Sequence, residues 1–258
     1  MKFIKIFLVF AFAVAFYSCE FNNNPSSSNS VIVNRKVLVE LSTNVNCVNC
    51  PPSDRFLAAI DTGIANITSS DTNVITMRLH SSIFPNDPFY NFNVPVNSAR
   101  QLYYFIFSNP WGILNGSKMP AFNSQTWANS INLTLAQNET QSLTYTNTFD
   151  TATKNGTLNI SISQISGSSA SDLKLHVAMV ESKMYYGGGS NGEKWFNNIL
   201  RDLVTGPSGQ DITLPFNSPV NYTLKNGINP ANADIIIFTQ SLSTKEVFVV
   251  RKKKLVGS

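Results

Sequence analysis

An α/β domain followed by an all-β antiparallel sandwich is the fold class that this sequence predicts. Three observations point to it. Residues 36–41 form an apolar run, residues 53–60 read as a helix, and residues 73–80 form a second apolar run. That is the order of a parallel strand–helix–strand unit. From about Leu143 onward, short segments alternate apolar and polar residues with a period of two, as half-buried strands do. Cys47 and Cys50, with two residues between them, fall at the junction of the first strand and the first helix.

Taken in order, the chain opens on two basic residues, Lys2 and Lys5. An unbroken apolar and aromatic run over residues 6–17 follows, and then Ser18 and Cys19. This is the pattern of a secretory signal, placed at residues 1–18. The run is shorter than the ~20 residues a membrane-spanning helix needs. A cysteine directly after a small residue resembles a bacterial lipobox, whose cysteine becomes the lipidated end of the mature chain. The alternative is an ordinary signal peptide cleaved nearby, which leaves Cys19 as a free thiol. Residues 19–30 hold Glu, Phe, Asn, Pro and Ser with almost nothing to bury, and they read as a flexible tether.

The first domain is expected over residues 31–137. A pair of cysteines at a strand-to-helix junction is the arrangement of a dithiol redox site. Unpaired N–H groups at a helix start carry partial positive charge and stabilise a thiolate placed there. Cys47 is expected to be the exposed nucleophile, and Cys50 the resolving thiol that closes the disulfide. Two other readings stay open. Half of a zinc site looks the same, but zinc takes about four ligands, and the chain adds only Cys19, His80 and His176. The pair also fits a purely structural disulfide. His80 ends the second strand beside the dithiol, with loop packing as its expected role. Residues 81–98, with Pro85, Pro88 and Pro95, read as a long irregular loop, and residues 99–105 as a second helix.

The second domain is expected over residues 138–258. Leu158, Ile160 and Ile162 alternate with polar residues, as do Leu173, Leu175, Val177 and Met179. Further strands are expected near residues 143–149, 196–203, 222–224, 235–240 and 247–251. Short strands separated by Gly, Asn and Pro turns point to an antiparallel sandwich. His176 falls on the polar side of its strand and is expected to face solvent.

The 19 basic and 15 acidic residues nearly balance. The basic run, residues 251–254, reads as a solvated strand end, whereas a nucleic-acid reader spreads basic residues over a face. Gly187-Gly188-Gly189 lacks the Gly-Lys-Ser/Thr of a phosphate cradle. No catalytic triad, nucleotide fingerprint, cofactor site or metal site is expected.

The strand, the Cys47-Val48-Asn49-Cys50-Pro51 motif, a later X-Pro and the helix beyond it resemble thioredoxin. Within that superfamily the chain resembles the outer membrane protein 28-related family of bacterial lipoproteins. The match rests on Glu40 with the cysteine motif, on residues 175–181, on residues 200–204 with Gly206 and Gly209, and on residues 244–247. The resemblance implies a thioredoxin-like domain followed by an immunoglobulin-like sandwich. It implies a cis bond at Met119-Pro120, opening the strand beside the cysteines, with a trans proline at a strand edge as the alternative. It also implies that Glu40 is a buried acid serving the resolving cysteine, against a carboxylate at the solvent end of a strand. The expected location is the outer membrane of the cell envelope. The expected activity is thiol–disulfide exchange on exported proteins. The alternative is a non-catalytic interaction or adhesion module in which the Cys47–Cys50 disulfide is structural. Exported or envelope proteins are the implied partners, with the membrane reached through a lipid on Cys19. Two departures stand out: the inner pair is Val48-Asn49, and no tryptophan precedes Cys47.

Overall fold

The computed structural model of the chain describes residues 35–63 and 73–256. The signal at 1–18, Cys19 and the tether at 19–30 lie outside the described residues.

Residues 32–258 form one compact unit. Its first part runs β1 (Val37–Thr43), α1 (Pro51–Asp61), β2 (Val74–His80), α2 (Pro88–Phe92), α3 (Val94–Tyr103), β3 (Trp111–Leu114), β4 (Ser117–Lys118) and α4 (Ser124–Leu135). Its second part runs β5 (Gln141–Phe149), β6 (Asn155–Gln164), β7 (Leu173–Glu181), β8 (Met184–Tyr185), β9 (Trp195–Phe196) and β10 (Ile199–Leu203). It continues with β11 (Gln210–Asp211), β12 (Phe216–Thr223), β13 (Ala233–Ser241) and β14 (Val247–Lys254).

Strands β1 and β2 pair in parallel through α1, as the strand–helix–strand pattern predicts. Strand β3 pairs antiparallel with β1, and β4 with β3. Side chains alternate across β1. Val37, Val39 and Leu41 pack on one face with Leu57 and Ile60 of α1 and Trp127 and Ile131 of α4. Leu38 packs on the other face with Val96 of α3 and Tyr104 just beyond it. Gly112 of β3 lies where a Cβ would meet the Trp127 ring at 2.4 Å, so this close approach requires glycine.

The expected loop over residues 81–98 is largely helical. Pro88 and Pro95 open α2 and α3. A proline in the first turn costs nothing there, because its missing N–H has no partner to lose and its φ is already helical. Asp87 caps α2, accepting from the N–H groups of Phe89 and Tyr90.

The two expected domains are not separate sheets. One nine-stranded sheet runs β14-β13-β7-β10-β2-β1-β3-β4, with β11 paired to β7. It joins strands from both sides of residue 137. The junction is β10, which pairs antiparallel with β7 and meets β2 in parallel, Ile199 opposite Arg78. The sandwich is present in a different form. The three-stranded sheet β12-β6-β5 packs Leu143, Leu158, Ile160 and Ile162 against Leu175, Val177, Ile235 and Ile237 of the large sheet. The boundary at 137/138 fails because period-two patterning shows that a strand is half-buried, not which sheet it joins.

A second correction follows from that shared sheet. His176 does not face solvent. It is buried, stacked on Phe238 with ring centroids 4.8 Å apart. Burial, with the charges of Arg100 and Lys174, holds its pKa well below the ordinary histidine value. Layers cover β7 on both faces, so its polar positions are interior as well.

Candidate functional site

The carboxyl ends of β1 and β2 and the start of β3 meet at one end of the sheet, and the cysteines lie there. The chain leaves β1 at Thr43 and turns through Asn44–Asn49. Cys47 N–H donates to the Asn44 carbonyl, and Cys50 N–H to the Cys47 carbonyl. Cys47 and Cys50 are joined in a disulfide, with Cα atoms 5.4 Å apart. Cys50 is the N-cap of α1.

This helix start is poor in donors. Pro51 and Pro52 have no N–H. The next two N–H groups, of Ser53 and Asp54, both donate to the Cys50 carbonyl. Asp54 adds a carboxylate in the first turn. The unpaired amides expected to steady a Cys47 thiolate are therefore absent or spent.

Cys47 is also not exposed. It is 1% and Cys50 0% accessible, whereas Val48 between them is 68% accessible. A strap over residues 186–197 crosses the loop that leads to Cys47. The Ser190 N–H donates to Asn46 Oδ1 at 3.1 Å and the Asn191 N–H to the Val45 carbonyl at 3.1 Å. The Asn191 amide reaches the Asn44 carbonyl at 3.4 Å. Gly189 is so close that a Cβ would lie 2.5 Å from the Val45 carbonyl oxygen.

Glu40 is buried but lies on the wrong face for the cysteines. It shares the α3 face with Leu38, opposite α1, because alternation fixes its side. There it is clamped by Arg100, whose Nε and Nη2 donate to its two oxygens at 2.8 and 2.7 Å. The Tyr104 hydroxyl donates to Oε1 at 2.5 Å. Arg100 also donates to Gln240 Oε1 at 3.0 Å. Burial alone would lower the Arg100 pKa, but the Glu40 carboxylate outweighs it and holds it above the ordinary value. Burial pushes the Tyr104 hydroxyl well up. A carboxylate committed to this pair is not a free base.

The cis bond lies at Asn109-Pro110, not at Met119-Pro120. Pro110 immediately precedes β3, where Trp111 stands opposite Ser42 of β1. Ser42 donates to Asn109 Oδ1 at 2.8 Å, and Asn109 Nδ2 to Ser81 Oγ at 2.7 Å. Asn109 so ties the ends of β1 and β2 together. Pro120 follows β4, with β3 between it and β1; it is exposed, and its carbonyl accepts from Trp127. The signal was present in the sequence as Asn109-Pro110-Trp111-Gly112, one short strand upstream of the proline chosen.

Sequence reasoning missed two further features. His80 Nδ1 pairs with Asp87 Oδ2 at 2.7 Å, and the same carboxylate oxygen accepts the Val45 N–H at 2.9 Å. Burial works against the Asp87 charge, but His80 and the backbone donors hold its pKa below the ordinary carboxylate value. His80 thus packs the floor under the cysteine loop, against Phe89 and Phe196. Glu193 of the strap lies over a cavity of about 100 Å³, lined also by Asp54, Arg55 and Arg78. Burial and the neighbouring Asp54 push its pKa up to about 7, against Arg55 and Arg78.

The motif around residues 200–202 is structural. Arg201 lies 3.1 Å from Glu181, both buried, and its guanidinium sits on the Phe92 ring. Asp202 accepts from Asn93 and lies 2.9 Å from Lys225.

Residues 97–258 match the family model for outer membrane protein Omp28. The chain belongs to the Omp28 family. It is accordingly an outer-membrane protein of the cell envelope. Among the described residues, no helix is long and apolar enough to cross a membrane. The Omp28-family chain is similar in structure to HBP35 of Porphyromonas gingivalis, with TM-score 0.72 and 14% identity, over 86% of this chain and 75% of that one. It is also similar to a crystallised protein of Agrobacterium tumefaciens, with TM-score 0.55 and 15% identity, over 88% and 97% of the two chains. A domain of the outer membrane lipoprotein Omp28 from Porphyromonas gingivalis matches at TM-score 0.35 and 18% identity, over 45% and 88%. No curated protein matches the chain.

Proposed function

We propose that this Omp28-family chain is a lipid-anchored envelope protein that works as an interaction module for exported or envelope proteins. Its thioredoxin-like part is the scaffold, and the Cys47–Cys50 disulfide is a staple within it. The observation that carries this reading is the burial of both cysteines beneath the strap. The helix start without spare N–H groups and the engaged Glu40 support it. The thioredoxin-like reading is supported by the order β2-β1-β3-β4, by the cysteine pair after β1, and by a cis-proline opening the strand beside it. The anchor is supported by Cys19 directly behind the apolar run.

The test is reduction and alkylation of the native protein. The disulfide is expected to resist a mild dithiol reductant until the fold is opened with denaturant, with no alkylation of Cys47 before that point. Ready reduction in the native state, together with a Cys50→Ser variant that captures a partner as a mixed disulfide on Cys47, would overturn the staple and leave the exchange reading. That second reading has one observation of its own: short polar contacts from Ser190 and Asn191 hold the strap over the cysteine loop, and such contacts can open. For the anchor, Cys19→Ser is expected to release the protein from membranes. A variant that stays bound through a salt wash would refute lipidation at Cys19.

A further inference from the structure

Four large apolar side chains stand exposed on two neighbouring segments. Leu102, Phe105 and Phe107, at and beyond the end of α3, are 66%, 63% and 75% accessible. Leu242, on the turn between β13 and β14, is 47% accessible. The two segments are tied together. The Tyr103 hydroxyl donates to the Ser241 carbonyl at 3.0 Å. The Lys245 ammonium lies 4.8 Å from the Phe105 ring centre and 5.3 Å from that of Tyr103. Phe105 has φ of 52°, a left-handed backbone that an aromatic residue rarely adopts. The fold thus holds an aromatic ring outward against local preference. The main cavities lie elsewhere, so no pocket here receives a partner's side chains.

The same turn meets the described start of the chain. Arg35 donates to the Val247 carbonyl at 3.1 Å, and its guanidinium lies 3.8 Å from Glu246. The stretch from Cys19 therefore joins the domain beside this patch. From Cys19 to Arg35 the chain spans at most about 55 Å when fully extended, roughly one domain diameter. A lipid on Cys19 so keeps the face that bears Arg35, Lys245 and the exposed rings within reach of the bilayer. Aromatic and leucine side chains beside a lysine are the composition that settles at the headgroup level.

We propose that Leu102, Phe105, Phe107 and Leu242, with Lys245, form a membrane-contact surface that seats the domain on the bilayer beside its anchor. The proposal rests on the anchored reading above. The phenyl rings and leucines enter the headgroup–acyl boundary, and Lys245 stays with the phosphates. No covalent step is involved.

The lipidated full chain carrying Phe107→Trp, reconstituted into phosphatidylethanolamine–phosphatidylglycerol vesicles, tests this. The wild-type chain, with Trp111, Trp127 and Trp195, supplies the background. Emission from the new tryptophan is expected to shift to the blue on reconstitution, and to lose most of its intensity when the acyl chains carry bromine. A Phe105→Ser change in the Phe107→Trp chain is expected to weaken that quenching while the chain still floats with the vesicles. If the chain floats but the new tryptophan is neither shifted nor quenched, the patch is not a membrane contact, although the anchor stands. If the patch variants instead lose capture of an envelope protein while the tryptophan stays unquenched, the occupant is a polypeptide and the proposal fails. If the chain never floats, anchor and patch fall together.

Discussion

At the scale of single residues, chemistry at this site is limited by what surrounds two sulfurs. A thiolate is stabilised by a helix start only through N–H groups free to point at it. Here the first two helical positions are prolines and the next two N–H groups are taken by Cys50. What the disulfide supplies is chain constraint. It closes so short a loop that the entropy lost from the unfolded chain corresponds to only about 2 kcal/mol. Cys47→Ser with Cys50→Ser is therefore expected to lower unfolding stability by about 2 kcal/mol, without loss of the fold. Denaturant melts of both forms read this directly, and a variant of unchanged stability would remove the staple argument. Glu40 and Arg100 carry a larger stake. Both are 1% accessible and bonded through two N–H donors. Arg100→Met leaves a buried carboxylate without its cation, expected to cost about 3–5 kcal/mol. The paired change Glu40→Gln with Arg100→Met is expected to recover part of that loss. A merely exposed Glu40 would show neither effect.

At the scale of elements, the strap over residues 186–197 decides access to the cysteines, and its own charge responds to pH. Glu193 has a pKa raised to about 7 by burial and by Asp54, against Arg55 and Arg78. Between the ordinary glutamate value of 4.5 and about 7, the folded strap holds a proton that the released strap gives up. The closed form is therefore favoured fully at low pH and loses that support as pH rises through about 7. Hydrogen exchange of residues 189–193, corrected for intrinsic rates, is expected to quicken across that range. Glu193→Gln is expected to abolish the pH dependence. Exchange that shows no such step in the native chain would refute the strap's sensitivity. No sequence signal marked this strap, because Gly187-Gly188-Gly189 and Ser190-Asn191 are the composition of any loop. The elements that were legible are those whose pattern is local. Strands β1, β2, β6 and β7 declared themselves by apolar runs or alternation, and the cysteine pair by its spacing. Helices α2 and α3 were hidden because Pro88 and Pro95 read as breakers when they were starters. Glu40 was legible as buried, but a spacing longer by one residue turns it to the far face of β1. The choice of Pro120 over Pro110 had the same root: both precede plausible strands, and only pairing with β1 separates them.

At the scale of the whole molecule, the consequence of the shared sheet is cooperativity. Strand β10 lies between β7 and β2, so the later part of the chain supplies a neighbour to the earlier part. The Arg78 N–H donates to the Asn198 carbonyl at 2.8 Å, and Arg35 reaches the Val247 carbonyl. Leu38, Ile75, Met77 and Leu79 of the first part share one core with Ala178, Val180, Leu200, Ile236 and Phe238 of the second. Glu40 and Arg100 reach across as well, to Gln240. Cutting the chain near residue 137 would expose that core and leave an unpaired strand edge on each fragment. Residues 31–137 and 138–258, produced separately, are therefore expected to be poorly folded and to aggregate, while residues 32–258 unfold in a single transition. Limited proteolysis of the native chain is expected to leave residues 136–140 uncut, because Glu139 is buried there and bonded through both oxygens to Arg251. Two soluble, separately melting fragments would show that the large sheet is only an abutment of two domains. Co-expression supplies the sharper measurement: the two fragments are expected to recover a native-like melt only together, since β10 of one completes the sheet of the other.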